Sequence, residues 1–200
     1  MNYKDLYRKA IGLVSSPAKT WKEIKATEDG KSVLPDFVYP MIGLCGLSEF
    51  IGTFIGKDFT AEVIQLALTR CCAVAVALFG GFFLASYLIR SVGERWFGCK
   101  ASREVIQLFV GYSMVVTFLL NIISGLFSIL ILHWILQVYT LYVAFEGVRA
   151  LLEVEERKQT GYAVMATVFL LFCPFVIESM FYILPYCTST VSSVSVITSG

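Results

Sequence analysis

The stretch "CCAVAVALFGGFFLASYLIR", residues 71–90, carries no charge until its final arginine. About 20 predominantly apolar residues of helix span the hydrocarbon core of a bilayer. Four more stretches have the same character, at residues 37–56, 105–123, 126–148 and 162–184. The expected fold is therefore an all-α, polytopic integral membrane protein with five transmembrane helices. Only Ser124 and Gly125 separate the third stretch from the fourth, which predicts a tight hairpin there. Composition agrees: 57% of the 200 residues are hydrophobic and 16% charged, where an ordinary soluble domain is about one quarter charged. Mean hydropathy is +0.74. The charges crowd into residues 4–36, 90–104 and 146–158, between the apolar runs. A net charge of +1 implies no strongly acidic partner and no nucleic acid.

Orientation follows from where the basic residues fall. Lys4, Arg8, Lys9, Lys19, Lys22, Lys25 and Lys31 precede the first span. Arg90, Arg95, Lys100 and Arg103 follow the second; Arg149, Arg157 and Lys158 follow the fourth. That is fourteen on one side against Lys57 and Arg70 on the other. The N-terminus is expected in the cytoplasm and the C-terminus outside. No secretory signal or transit peptide is expected, because the first 34 residues are basic, contain five acids with Asp36 just beyond included, and hold no apolar core of the right length. The Ser/Thr-rich end, residues 186–200, reads as a disordered outer tail.

Residues 1–34 form a cytoplasmic region of amphipathic helices. In residues 3–14, Tyr3, Leu6, Tyr7, Ala10, Ile11, Leu13 and Val14 share a face opposite Lys4, Asp5, Arg8 and Lys9. Pro17 suits the first position of a second helix, Ser16 its N-cap, and Gly30 its C-terminal end. That helix has a narrow stripe of Ala18, Trp21 and Ile24 bordered by Lys22 and Lys25. A tryptophan ring with one N–H donor favours the membrane–water interface, and lysine stems lie along apolar surface while their ammonium groups reach water. Pro17, Trp21, Lys22 and Lys25 are thus candidates for a membrane-interface contact; a short soluble helix packed on a loop is the plainer alternative.

Ionisable groups inside a membrane are costly and are functional candidates by default. Glu49, Arg70, Asn121, His133 and Glu178 all fall in the outer half of the expected bundle. They read either as a polar pocket for an ion, a proton or a small ligand, or as groups that reach the outer interface or pair structurally. The second reading is preferred because none is deep enough to demand a pathway. Glu146 and Arg149 read as a solvated pair at the cytoplasmic end of the fourth span. A serine hydrolase built on Ser124 and His133, the single histidine, is rejected because the two lie about two turns apart on one helix. No catalytic, cofactor-binding or metal-binding set is expected. The six cysteines have no metal-ligand spacing and read as small hydrophobes; Cys187 with Cys71 or Cys72 is the disulfide alternative. Gly43, Gly46 and Gly80-Gly81 let helix backbones approach closely, within the bundle or in a dimer.

The ordered set "SPAKTWKEI", "VLPDFVYPMIGL" and "SREVIQLFVGYSMVV" resembles the Yip family, the Ypt/Rab-GTPase-interacting membrane proteins, and most closely its short bacterial members. Gly111-Tyr112-Ser113 is similar to the family's glycine–tyrosine motif, although Met114-Val115-Val116-Thr117 stands where a proline is common. The resemblance covers about residues 5–185. It implies a five-span Yip-like membrane domain, residues 35–185, acting without catalysis as an adaptor or scaffold in membrane organisation or trafficking. Expected partners are the lipid bilayer and other membrane proteins or a second copy. The absence of the long N-terminal region of eukaryotic members weighs against a Rab-type GTPase. The resemblance implies a plasma or inner membrane for a bacterial chain and an endomembrane for a eukaryotic one. The competing function is a small transporter or channel that uses Glu49, Arg70 and Glu178.

Overall fold

The computed structural model describes residues 3–198 apart from 29, 127–129 and 153, and of residues 3, 130–137 and 182–198 it describes the backbone alone. Its elements are α1 (Tyr3–Ser15), α2 (Pro17–Thr27), a π turn (Leu34–Val38), α3 (Tyr39–Thr53), α4 (Ala61–Val92), a second π turn (Gly93–Phe97), α5 (Arg103–Ser113), α6 (Val115–Leu126), α7 (Leu130–Leu151) and α8 (Glu156–Thr198). No strand occurs among the described residues.

Three segments are long and apolar enough to cross a membrane among the described residues: Ala61–Phe97, Arg103–Leu126 and Glu156–Phe181. The second contains α5 and α6, whose hydrogen-bond ladder continues through Met114: its N–H donates to the Val110 carbonyl (3.0 Å), and its carbonyl accepts from Phe118 (2.9 Å). The most apolar stretch of this segment is 67% buried in protein, whereas that of Glu156–Phe181 is 28% buried. The α5–α6 rod is therefore central and α8 peripheral. The outward faces are apolar as well: Leu44, Leu47, Ile51 and Ile55 on α3 and its end, Phe79, Phe83 and Tyr87 on α4, and Val164, Val168, Phe172 and Phe175 on α8 are exposed. In water such a belt would be a large unfavourable patch; against lipid tails it costs nothing.

Thr60 caps α4 by accepting from the Val63 N–H at 3.3 Å, and Ser102 caps α5 by accepting from Val105 at 3.3 Å. α4 packs along α8 and α3, α3 against α6, and α7 against α8 and α2. Gly46 faces Cys71, and Gly80 and Gly81 face Ile177 and Pro174, so these three glycines serve contacts within the bundle; Gly43 faces open space.

Several expectations are corrected. Ser124 and Gly125 are not a hairpin; α6 runs through both to Leu126. Gly125 is small because α3 lies against it: a β-carbon there would sit 2.7 Å from Ser48 Oγ, and one on Gly52 would overlap the Gly125 carbonyl oxygen. α4 starts at Ala61, ten residues before the predicted span, because Thr60 provides the cap. Arg70, which directly precedes the predicted span, therefore lies inside α4. α2 ends at Thr27, as Glu28 takes an extended conformation, and Ser16 precedes Pro17 without a side-chain cap bond. The backbone of α8 is helical to Thr198, through residues whose composition suggested an irregular tail. The side chains of His133 and Cys187, with the disulfide expectation that involves Cys187, lie outside the described residues.

Candidate functional site

Trp21 decides how the N-terminal helices are mounted. Its ring is fully buried, and Nε1–H donates to the Val143 carbonyl of α7 at 3.0 Å. Phe109 stacks on it with ring centroids 6.1 Å apart, and Tyr112 meets it edge-on at 6.2 Å. A β-carbon on Gly147 would lie 2.7 Å from Trp21 Cζ2, so α7 has no side chain at that point and the indole fills its place. The ring is thus spent on the protein interior, where both its apolar faces and its single donor are satisfied. The sequence reading of Trp21 as an interface ring is corrected on this point. Pro17, Thr20 and Ile24 are buried on the same side of α2, while Lys22 and Lys25 face outward.

The α1–α2 pair lies alongside α7 and not across its end. Tyr139 O–H donates to the Val14 carbonyl at 2.6 Å, and Tyr139 stands eight residues, or about 12 Å of helix, from Gly147. Leu6, Ala10 and Leu13 form the buried face of α1; Tyr7 and Ile11, assigned to the same face from the sequence, are exposed.

A polar cluster closes this seat. Lys9 on α1 pairs with Asp5 Oδ2 at 3.0 Å and with Glu28 at the end of α2. Glu28 also accepts from Ser32 Oγ at 3.3 Å and interacts electrostatically with Tyr112 of α5. The Lys9 and Glu28 side chains are only 15% and 11% exposed, so this pair is shielded and the surface-pair rule of negligible worth does not apply. Burial alone would pull the Lys9 ammonium down, but hydrogen bonds to Glu28 and Asp5 outweigh it and hold it above its ordinary value. The hydrogen bond from Lys9 holds the Asp5 carboxyl below its ordinary range. Lys9, Asp5 and Glu28 were not singled out in the sequence; a lysine nineteen residues before a glutamate gives no local signal.

Gly111, Tyr112 and Ser113 stand at the centre of this arrangement. A β-carbon on Gly111 would be 3.0 Å from both Val33 and Val38, so glycine admits the π turn before α3. Tyr112 is buried between Trp21 and Phe37, the latter 4.4 Å away between centroids. Ser113 Oγ is buried without a described hydrogen-bond partner.

Residues 11–177 match the family described as the Yip1 domain. The chain belongs to the Yip1-domain family. It is accordingly a membrane protein, as its apolar helices and apolar outer belt require. Neither the comparison with curated proteins nor that with solved structures gave a match. In this Yip1 domain Gly111 and Tyr112 are the floor on which α2 and the π turn rest.

Of the other predicted polar residues, Arg70 and Glu178 lie within electrostatic reach of Glu49. Glu49 on α3 interacts electrostatically with Arg70 on α4 and with Glu178 on α8. Both carboxylates are half-buried and Arg70 is exposed. Asn121 is directed elsewhere: its Nδ2 donates to Thr117 of its own helix at 2.8 Å. Glu146 and Arg149 form a loose pair at 3.9 Å. Among the described residues, no three His, Cys, Asp or Glu side chains are grouped to hold a metal ion.

Proposed function

We propose that this Yip1-domain protein is a five-span, non-enzymatic adaptor or scaffold in membrane organisation or trafficking, with α1–α2 cytoplasmic and the C-terminus outside. The observation that carries the reading is the seat of Trp21. The domain spends its glycine–tyrosine motif on fixing a helix pair whose outward face bears Lys19, Lys22, Glu23 and Lys25, all exposed. A rigidly held polar surface suits recognition of another membrane protein or a second copy, since little ordering entropy is left to lose on binding. The fourteen-to-two division of basic residues supports the orientation. α7, with 22 residues, and α3 with its preceding π turn supply the two further spans.

Two measurements test this. Cysteine introduced at Lys57 should react with a membrane-impermeant maleimide from outside, and one at Lys100 only after permeabilisation; the reverse pattern rejects the orientation. Affinity capture from native membranes should lose its partners in a K19E/K22E/K25E variant that keeps its thermal unfolding curve. Unchanged partners reject the recognition role of this face.

A second reading, a small transporter or channel, is favoured by the half-buried position of Glu49 and Glu178 and by the electrostatic interaction of Glu49 with both Arg70 and Glu178. Proton or cation flux in proteoliposomes that is lost in E49Q supports it. Flux no greater than in protein-free vesicles rejects it.

A further inference from the structure

We propose that the cavity between α4 and α5, at the end of the bundle that carries α1 and α2, is a binding site for the headgroup of an anionic phospholipid. The cavity measures about 220 Å³ and is lined by Phe83, Ser86, Tyr87, Arg90, Arg103, Ile106 and Gln107. On α4 the lining positions follow the i, i+3, i+4, i+7 spacing of one helix face, and on α5 they follow i, i+3, i+4. Arg90 and Arg103 stand at the outer level. On α4, Ser86 and Tyr87 lie a turn further in and Phe83 a second turn in; on α5, Ile106 and Gln107 lie together one turn in from Arg103. Along α4 that sequence of cation, hydrogen-bonding group and apolar group matches phosphate, glycerol and acyl chain.

Both guanidinium groups belong to exposed residues, and Glu94 orients one of them by accepting from Arg90 Nε at 2.8 Å. Planar guanidinium groups bind phosphate oxygens in a forked geometry that a single ammonium cannot reproduce. Tyr87 and Trp96 are 69% and 74% exposed and flank this level; amphipathic rings of this kind sit at the headgroup depth. A site of this volume lies below the usual range of about 300–1,000 Å³ for ligand pockets that enclose a whole molecule. It suits a headgroup whose chains remain in the bilayer. The proposal depends on the cytoplasmic orientation only for which leaflet supplies the lipid.

The test is native mass spectrometry of the full chain, released from detergent and titrated with phosphatidylglycerol or phosphatidylcholine. Wild type should retain phosphatidylglycerol in preference. R90Q and R103Q should each weaken retention about 5-fold, and R90Q/R103Q about 30-fold, because each basic residue near an anionic lipid contributes on the order of one such factor. R95Q removes a nearby arginine outside the cavity and should change nothing. Undiminished retention in R90Q/R103Q overturns the proposal. Displacement of the lipid by millimolar inorganic phosphate also overturns it, in favour of a soluble anion. In the unaltered protein, phosphatidylglycerol with a photoreactive headgroup should label the peptide spanning residues 83–107; labelling confined to other peptides rejects the site without any substitution. Maleimide labelling at positions 57 and 100 reports orientation independently, so failure of the lipid site is distinguishable from failure of the adaptor reading.

Discussion

Replacing Trp21 with alanine removes the largest fully buried side chain among the described residues from the contact that holds α2 on α5 and α7. Truncating a buried Phe or Trp to Ala costs about 3–5 kcal/mol, and the lost bond to Val143 is part of that sum. An undocked α2 need not expose this ring to water in the unmodified protein, because indole is well accommodated at the membrane interface. The cost in a membrane is therefore lower, about 2–3 kcal/mol. The loss falls on the docking of α1–α2 and leaves the α4–α8 contact intact. Limited proteolysis in lipid nanodiscs should show cleavage at Lys19, Lys22 and Lys25 rising about 30- to 150-fold, the equivalent of that free energy when opening is fast relative to cleavage. Gly147 provides the sharper control. In wild type, Gly147→Ala forces a methyl group to 2.7 Å from Trp21 Cζ2 and 2.9 Å from Phe109 Cε2, an overpacking cost of about 1–3 kcal/mol. With Trp21 already alanine, the same methyl enters the vacated space and the cost should fall by at least about 1 kcal/mol, a coupling readable in a double-mutant cycle. Unchanged proteolysis in W21A, or strict additivity of W21A and G147A, refutes the seat as the element that holds the N-terminal helices.

Glu28→Gln should also release α1 by about 1–2 kcal/mol, since shielded Lys9 keeps only Asp5 of its own helix and the charged tie from α1 to α2 is lost; hydrogen exchange confined to residues 3–15 reads the effect. The pH dependence of the same exchange has a fixed sign. Asp5 is held below its ordinary value of 3.8, so its contribution is present above that pH and lost as pH falls through the lowered value. Lys9 is held above its ordinary value of 10.5, so its contribution is present below that pH and lost as pH rises through the raised value. Protection of α1 should therefore be flat between these limits, and a midpoint near neutrality would contradict the assignment. Gly81→Ala should destabilise the α4–α8 contact by about 1–3 kcal/mol, because the methyl meets Pro174 backbone at 2.8 Å. Gly43→Ala, which faces open space, should leave thermal unfolding within about 0.5 kcal/mol or raise it slightly through helix propensity.

Helical content and membrane residence were legible because both depend on local runs: apolar stretches of bilayer length and Pro17 at a helix start. The Ser124-Gly125 turn was misread for a definite reason. A glycine between apolar runs looks like a chain break, and only the neighbouring α3, with Ser48 and Gly52 against it, makes it a packing position. Trp21 was misread in the same way, since an indole beside lysines has the same local signature whether it faces lipid or a glycine on another helix. Gly111-Tyr112-Ser113 was recognised as a motif, but the reason for glycine there, contact with Val33 and Val38, lies some 75 residues earlier in the chain.

Local sequence is enough to make this a helical membrane protein, because hydropathy acts on each segment independently of its neighbours. Tertiary structure alone decided that Trp21 is an internal wedge, that Lys9 and Glu28 tie α1 to α2, and that Arg90 and Arg103 meet across one cavity. Those pairings depend on which helix faces which, and in a chain whose apolar runs are chemically alike that choice is made by shape: a glycine opposite an indole, and a shielded ammonium of α1 opposite a carboxylate at the end of α2.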